Sequence, residues 1–287
     1  MYINPYIQGH LAVLGFGLTG ILIKSTTANT WEIGISRLAI ATIIFLIIFH
    51  FKKIKLTWTP KKILMGASIG IVFATHWTLY FFAFNYASVA TVTFAEMLYS
   101  FFFIILGVIF CKESRKTVDV FPLFMGLIGA IILLPELNLE NTETIGFFLA
   151  TFSGFLFAIV GILQKKFHNK LSENERPFFQ YFFALLFFLM FFPKTHWEFT
   201  TKDWGILCVL GIVGTAIAHT FWANANAKLS TKINSLLYLM IPIYASVGAF
   251  FFLNEEITSK ILLGGMFILI GIFRLQKQDS STLTSTS

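Results

Sequence analysis

Charge is scarce in this sequence. Asp, Glu, Lys and Arg make up 12% of its 287 residues, and 56% are hydrophobic. An ordinary soluble domain carries about 25% charged residues, so a water-facing surface of the usual kind is excluded. Cysteine is nearly absent too. Cys111 and Cys208 fall near opposite faces of the topology set out below, which excludes a mutual disulfide. Cys111 beside Lys112 is either a lipidation site or an ordinary small apolar residue. The segment Met1-Tyr2-Ile3-Asn4-Pro5 lacks the basic region of a cleaved signal peptide, so the first apolar run is expected to remain as a signal anchor. No phosphate-cradling glycine loop, no His/Cys cluster with metal spacing and no nucleophile elbow occurs. Neither a cofactor nor nucleotide hydrolysis by this chain is therefore expected.

What the sequence has instead is apolar length. Runs near twenty residues recur from end to end, each long enough to cross hydrocarbon as a helix. Ten spans are predicted, at 7–24, 32–50, 62–86, 88–111, 119–137, 145–166, 176–192, 203–225, 232–254 and 258–275, with boundaries good to a few residues. The fold class is all-α integral membrane, and the short connections leave no room for a soluble domain. Residues 276–287, rich in Ser and Thr, are expected to form a disordered cytoplasmic tail.

The net charge of +7 would suggest nucleic acid in a soluble protein. Here the basic residues collect between the apolar runs, so no nucleic-acid partner is expected. Sixteen of the 21 lie in alternate connections, from Lys52, Lys53 and Lys55 through Lys165, Lys166 and Lys170 to Arg274 and Lys277. By the positive-inside rule both termini are cytoplasmic, in the inner membrane of the cell. Ten spans divide into two sets of five, residues 1–140 and 141–275. An odd number per set forces the second to enter from the opposite side, an arrangement many carriers use. At an offset of 143, His76 meets His219, Met97 meets Met240 and Glu113 meets Glu256.

A few polar residues interrupt the apolar runs. Glu96 lies roughly 12 Å past Ser88 at 1.5 Å per helical residue, where an ionised carboxylate costs about 2.5–3.5 kcal/mol. Thr93, Glu96, Ser100 and Phe103 share one helical face. Glu96 is either a proton- or cation-binding group in a transport path or one half of a buried pair with Arg37 or Lys24. His76 falls at a similar depth, and a His–Glu couple could relay protons; a neutral His bonded to a backbone carbonyl is the alternative. Thr215, His219, Trp222 and Asn226 form a polar face in the eighth span, and Asn234 and Tyr238 a similar pair in the ninth. These faces either line a cavity or hold helices together. Arg37 could draw in a solute carboxylate or pair with Glu96. Lys24 and Lys260 read as snorkelling end residues, and Trp31, Trp58, Trp197 and Trp204 as interfacial anchors.

The hinge Asn85-Tyr86-Ala87-Ser88, the apolar run after it, Glu113, Gly126 and Gly129 resemble one EamA repeat. Ala227-Lys228-Leu229-Ser230, Pro242, Glu255-Glu256, Gly264-Gly265 and Gly271 resemble a second. Gly15, Gly17 and Gly20 leading to Lys24, with Arg37 early in the second span, fit the start. On these residues the chain resembles the drug/metabolite transporter superfamily, EamA type, over nearly its full length. The resemblance implies ten helices as two inverted five-helix repeats, residues 1–140 and 141–275, around a central cavity braced by peripheral helices. Relatives export amino acids and other metabolites; some exchange S-adenosylmethionine, and distant ones move nucleotide sugars. The first repeat departs from the pattern, with Tyr99 standing where the second has Pro242 and Glu96 where it has Leu239.

The function expected is a secondary exporter of a small polar organic metabolite such as an amino acid, working by alternating access and not an enzyme. Its expected pathway residues are Arg37, His76, Glu96, Tyr99, His219, Trp222, Asn226 and Tyr238, with a solute, the bilayer and optionally protons as partners. The sequence leaves the oligomeric state, substrate and coupling ion open. The rivals are the same fold carrying S-adenosylmethionine or a nucleotide-like metabolite, and a membrane enzyme using Glu96 and His76 on a lipid-linked substrate. A channel or scaffold is a further rival, but no ring of like groups or filter loop stands out.

Overall fold

A computed structural model of the chain describes residues 3–112, 120–132, 138, 140–267 and 270. The described residues are helical, with no strand among them. In order the helices are α1 (Pro5–Lys24), α2 (Thr30–Phe51), α3 (Pro60–Ala83), α4 (Val89–Glu96), α5 (Tyr99–Phe110), α6 (Val120–Ile132), α7 (Thr142–Phe167), α8 (Glu175–Leu189), α9 (Thr201–Gly211), α10 (Ala218–Lys228), α11 (Thr231–Tyr238) and α12 (Ile241–Leu253). A further helical stretch occupies 259–267. Glu113, Gly271 and the 276–287 tail lie outside the described residues.

Among the described residues, seven helical spans are long and apolar enough to cross a bilayer: α1, α2, α3, α7, and the joined spans Val89–Phe110, Thr201–Lys228 and Thr231–Leu253. Their ends are closed by side chains, since unpaired backbone groups are costly in lipid. Asn4, Thr59, Ser88, Asn141, Thr200 and Ser230 each accept a first-turn N–H. Asn29 and Glu32 make a reciprocal capping box on α2. Pro5 and Pro60 occupy first-turn positions, where a missing N–H costs nothing.

Burial is inverted relative to a water-soluble protein. Phe51, Leu64, Phe251 and Phe252 are each at least 70% exposed, whereas Arg37, His76, Glu96 and His219 are buried. Only hydrocarbon tolerates that outer surface, and the interior polar groups must find partners among themselves. The molecule is a multi-pass membrane protein.

Two spans are broken at matching places. The predicted 88–111 span is not one straight helix. After Glu96 the ladder tightens: Leu98 N–H bonds Ala95 O at 3.2 Å, Ser100 N–H bonds Met97 O at 3.0 Å and Phe101 N–H bonds Leu98 O at 3.0 Å. These are three-residue bonds in place of four-residue ones. In the other broken span Leu239 and Met240 separate α11 from α12, where Pro242 has no N–H to give. Both first halves are eight residues long and start from a serine cap, Ser88 and Ser230. Glu96 and Tyr238 each end the short helix that carries them. α11 lies on α5 and α12 on α4, so the two spans cross antiparallel. At the crossing Ser100 Oγ donates to Ser235 O at 2.9 Å, and Ser235 Oγ returns a bond to Ser100 O at 3.1 Å.

The span that joins α9 to α10 carries a different irregularity. Residues Ile212–Ile217 form a π-helical turn, in which one extra residue is accommodated and carbonyls are released from the ladder. Thr215 Oγ1 turns back five residues to Leu210 O at 2.8 Å. The Gly214 carbonyl accepts from Arg37 Nη2 at 3.1 Å, and the Thr215 carbonyl from the Tyr181 hydroxyl at 3.2 Å.

Candidate functional site

The half-helix ends meet at a closed cavity of about 20 Å³ lined by Phe16, Thr19, Arg37, His76, Trp77, Tyr80, Glu96, Phe157, His219 and Tyr238. That is room for about one water molecule. Five predicted residues line it: Arg37, His76, Glu96, His219 and Tyr238. They come from α2, α3, α4, α10 and α11, so no local stretch of sequence could have assembled them.

Glu96 reaches the cavity because α4 stops there. Its carboxylate lies 3.9 Å from His76 Nδ1, and Tyr80 and Tyr238 are its hydroxyl-bearing neighbours. His76 also satisfies the alternative stated for it. Its Nδ1 is 2.7 Å from Ser153 Oγ and 3.1 Å from Ser153 O. Ser153 Oγ donates to the His76 carbonyl at 3.2 Å, so its proton is used there and the imidazole Nδ1–H is the donor to it. The ring lies flat on Phe157, centroids 4.5 Å apart at 14°. His76 is thus anchored on α7 and turned toward Glu96 at once.

Arg37 does not pair with Glu96, and no ion pair joins them within 4.0 Å. Its Nε donates to Thr215 Oγ1 at 2.9 Å, its Nη2 to Gly214 O at 3.1 Å, and its guanidinium lies 4.1 Å over the Trp77 ring. Its acceptors are instead one hydroxyl and one carbonyl of the π-helical turn, while Glu96 has His76, Tyr80 and Tyr238 about it. Lys24 does not reach Glu96 either; it pairs with Glu255 at 3.5 Å, near the end of α1.

The remaining predicted residues form the layer behind the cavity. Tyr99 packs tilted against Tyr238 at 4.2 Å, and Trp222 packs on Phe16 at 5.9 Å and on Tyr238 at 5.5 Å. Asn226 does not line the cavity. It accepts from the Tyr99 hydroxyl at 3.4 Å and donates to Gln164 Oε1 at 3.0 Å, and Gln164 donates to Gln180 at 2.7 Å. Thr215, His219, Trp222 and Asn226 therefore do not act as one face: they serve the bulge, the cavity, its aromatic wall and a buried amide chain in turn. Asn234 takes the second role allowed for its face and holds helices together, donating from α11 to Ala225 O on α10 at 3.2 Å.

Sequence reasoning missed Phe16, Thr19, Trp77, Tyr80 and Phe157. Tyr80 was within reach, because it stands four residues after His76 on the same helical face. Phe157 was not, because nothing sets it apart from the other phenylalanines before α7 is docked on α3. Beside the cavity opens a vestibule of about 630 Å³, lined among others by Lys24, Asn29, Trp31, Phe81, Asn85 and Lys194. Phe81 belongs to this vestibule and also packs on Trp77 at 5.2 Å. It stands between the wide space and the small one.

Fold and site together define an all-helical membrane protein with a polar centre shut inside an apolar bundle. The chain belongs to the EamA-like transporter family, whose model matches twice, over residues 4–134 and 144–275. An uncharacterized transporter of Archaeoglobus fulgidus is 31% identical over 166 residues, 56% of this chain and 57% of the relative. One of Clostridium kluyveri is 24% identical over 229 residues, 77% and 73% of the two chains. The match thus spans little more than half the length of the Archaeoglobus relative. A crystal structure of another protein superposes with a TM-score of 0.75 over 93% of this chain and 94% of the other. At 15% identity that likeness is one of fold alone.

Proposed function

We propose that this chain is a secondary carrier of a small polar organic solute, with the cavity at Glu96, His76, Arg37, His219 and Tyr238 as its solute site. The observation that carries the reading is the placement of these groups. Ionisable side chains are gathered around a closed void at the ends of two broken helices, inside a bundle whose outside is hydrocarbon-like. Intramembrane charge of that kind marks solute and ion paths, and discontinuous helices meeting near the midplane are a carrier device.

The proposed architecture is ten spans in two inverted halves, 1–140 and 141–275, with both termini cytoplasmic in the inner membrane. Support comes from the contacts across the halves, which occur in swapped pairs. α1 packs on α10 as α7 packs on α3; α1 packs on α12 as α7 packs on α4 and α5; α2 packs on α9 as α8 packs on α3. The two family matches divide the chain at nearly the same place, and a division into antiparallel halves explains why α4 and α11 arrive at one cavity from opposite directions. Rocking of the halves would open the cavity first to one face and then to the other. Export of a metabolite such as an amino acid, with Glu96 as proton acceptor, is the working form of this proposal.

Counterflow in proteoliposomes tests it. Vesicles loaded with unlabelled amino acids or other small polar metabolites should accumulate the labelled form transiently, and His219→Trp, which fills the cavity, should abolish the overshoot. Equal signals from protein-free vesicles, or from the His219→Trp protein, would remove the carrier reading.

A further inference from the structure

Arg37 is fixed on three sides and free on one. Nε and Nη2 are bound to Thr215 and Gly214, the guanidinium face is covered by Trp77, and Phe81 stands 5.5 Å from it. The side chain is 1% exposed, yet Nη1 has no hydrogen-bond partner. A buried guanidinium nitrogen left unpaired is costly. The residue lines the cavity, so the cavity is where a partner for Nη1 has room to stand. Glu96 shares that cavity without an ion pair to Arg37, and is occupied by His76, Tyr80 and Tyr238. The neighbouring vestibule is lined by Lys24, whose charge is paired with Glu255 at 3.5 Å, and by Lys194. A negative group approaching by that route passes Lys194 before it reaches the unpaired nitrogen.

We infer that Arg37 is the anion-recognising residue of the cavity, and that the carried solute has a carboxylate or phosphate oxygen that docks on Nη1. This rests on the carrier reading of the cavity and adds the charge of the solute to it. Rigid tethering of the guanidinium is what makes the site selective. With two of its nitrogens held on the π-helical turn, the arginine need not be ordered when the anion arrives, which removes one entropic cost of binding. The Thr19 hydroxyl lies close by: Thr19 Oγ1 and Arg37 Nη2 are 3.4 and 3.6 Å from the point where a Cβ on Gly214 would stand.

The probes are benzoate and phenyl phosphate against neutral benzamide, read as thermal stabilisation of the full chain in nanodiscs. Wild type should bind at least one of the two anions about ten-fold more tightly than benzamide, and which anion wins distinguishes carboxylate from phosphate. Arg37→Gln should erase the preference, whereas Gly205→Ala on α9, where an added Cβ meets nothing within 4 Å, should keep it. Because Arg37→Gln also frees the π-helical turn, Thr19→Asp provides a second arm with the arginine in place. A built-in carboxylate there should remove the preference for added anions and raise the melting temperature by itself. Equal binding of anions and benzamide, no binding of any probe, a preference that survives Arg37→Gln or Thr19→Asp, or its loss in Gly205→Ala would each overturn the inference. The carrier reading fails separately. A protein that counterflows neutral solutes with Arg37→Gln unaffected is still a carrier, and one that binds benzoate through Arg37 but moves nothing is not.

Discussion

Gly154 on α7 offers a measurable test of why α4 stops where it does. A Cβ at this position would stand 2.7 Å from the Glu96 carbonyl oxygen and 3.2 Å from the Tyr99 nitrogen. Both are backbone atoms of the break, so neither can swing aside as a side chain would. Reaching ordinary contact near 3.4 Å requires α7 to move off the break by about 0.7 Å, in a packed interior that resists such shifts. Overpacking of this kind costs about 1–3 kcal/mol. The general gain from replacing a helical glycine by alanine is about 0.5–1 kcal/mol. Gly205 on α9, with nothing within 4 Å of its would-be Cβ, shows that gain alone. Equilibrium unfolding in mixed micelles with added SDS should therefore find Gly205→Ala unchanged or more stable and Gly154→Ala less stable, the two separated by about 1–3 kcal/mol. Counterflow should fall in Gly154→Ala and not in Gly205→Ala, because the break is what delivers Glu96 to the cavity. If the two variants unfold together, the claim that α7 shapes the break is wrong.

Other outcomes follow from the same geometry. Glu96→Gln should flatten the pH dependence of solute flux between pH 5 and 8, as measured in proteoliposomes with an imposed gradient; an unaltered pH profile would deny Glu96 a proton-carrying role. Asn226→Leu leaves Gln164 Oε1 without its donor and should cost about 1 kcal/mol, with a Gln164/Asn226 double-mutant cycle returning a coupling of about 0.5–2 kcal/mol. A coupling of zero would mean that the amide chain is packing without cooperation. For topology, Lys53→Cys should be shielded from a membrane-impermeant maleimide in intact cells while Lys194→Cys reacts. The reverse pattern would invert the proposed orientation.

Much of the fold was legible because lipid imposes one-dimensional rules. Span length, short connections and the side on which Lys and Arg collect are all properties of the chain taken in order. The predicted 145–166 and 203–225 spans, for instance, are found within helical Thr142–Phe167 and Thr201–Lys228. The site was legible in its chemistry and not in its pairings. Glu96, His76 and Arg37 stood out as polar residues in apolar runs, and the structure gathers them around one cavity. The partner of Arg37 was misread because Thr215 and Gly214 become acceptors only when the helix around them takes on an extra residue. The break after Glu96 carries no Pro or Gly of its own. The glycine that accommodates it lies 58 residues away on α7, so no local rule would have found it. Pro242 did announce the matching break in the second half.

The surplus residue in Ile212–Ile217 has a consequence for the helix on either side of it. At about 100° per residue, one residue more or fewer changes which way an entire half of the span faces. The Thr200 end must present Asp203 to the Thr26 hydroxyl and the Thr27 N–H, at 2.8 and 2.9 Å. The Lys228 end must present His219 to the void and Asn226 to Gln164. A regular helix of this length would bring only one of those ends into phase. The extra residue lets a single span keep two appointments with different azimuths, and the Gly214 carbonyl and Thr215 hydroxyl within it hold the buried guanidinium still.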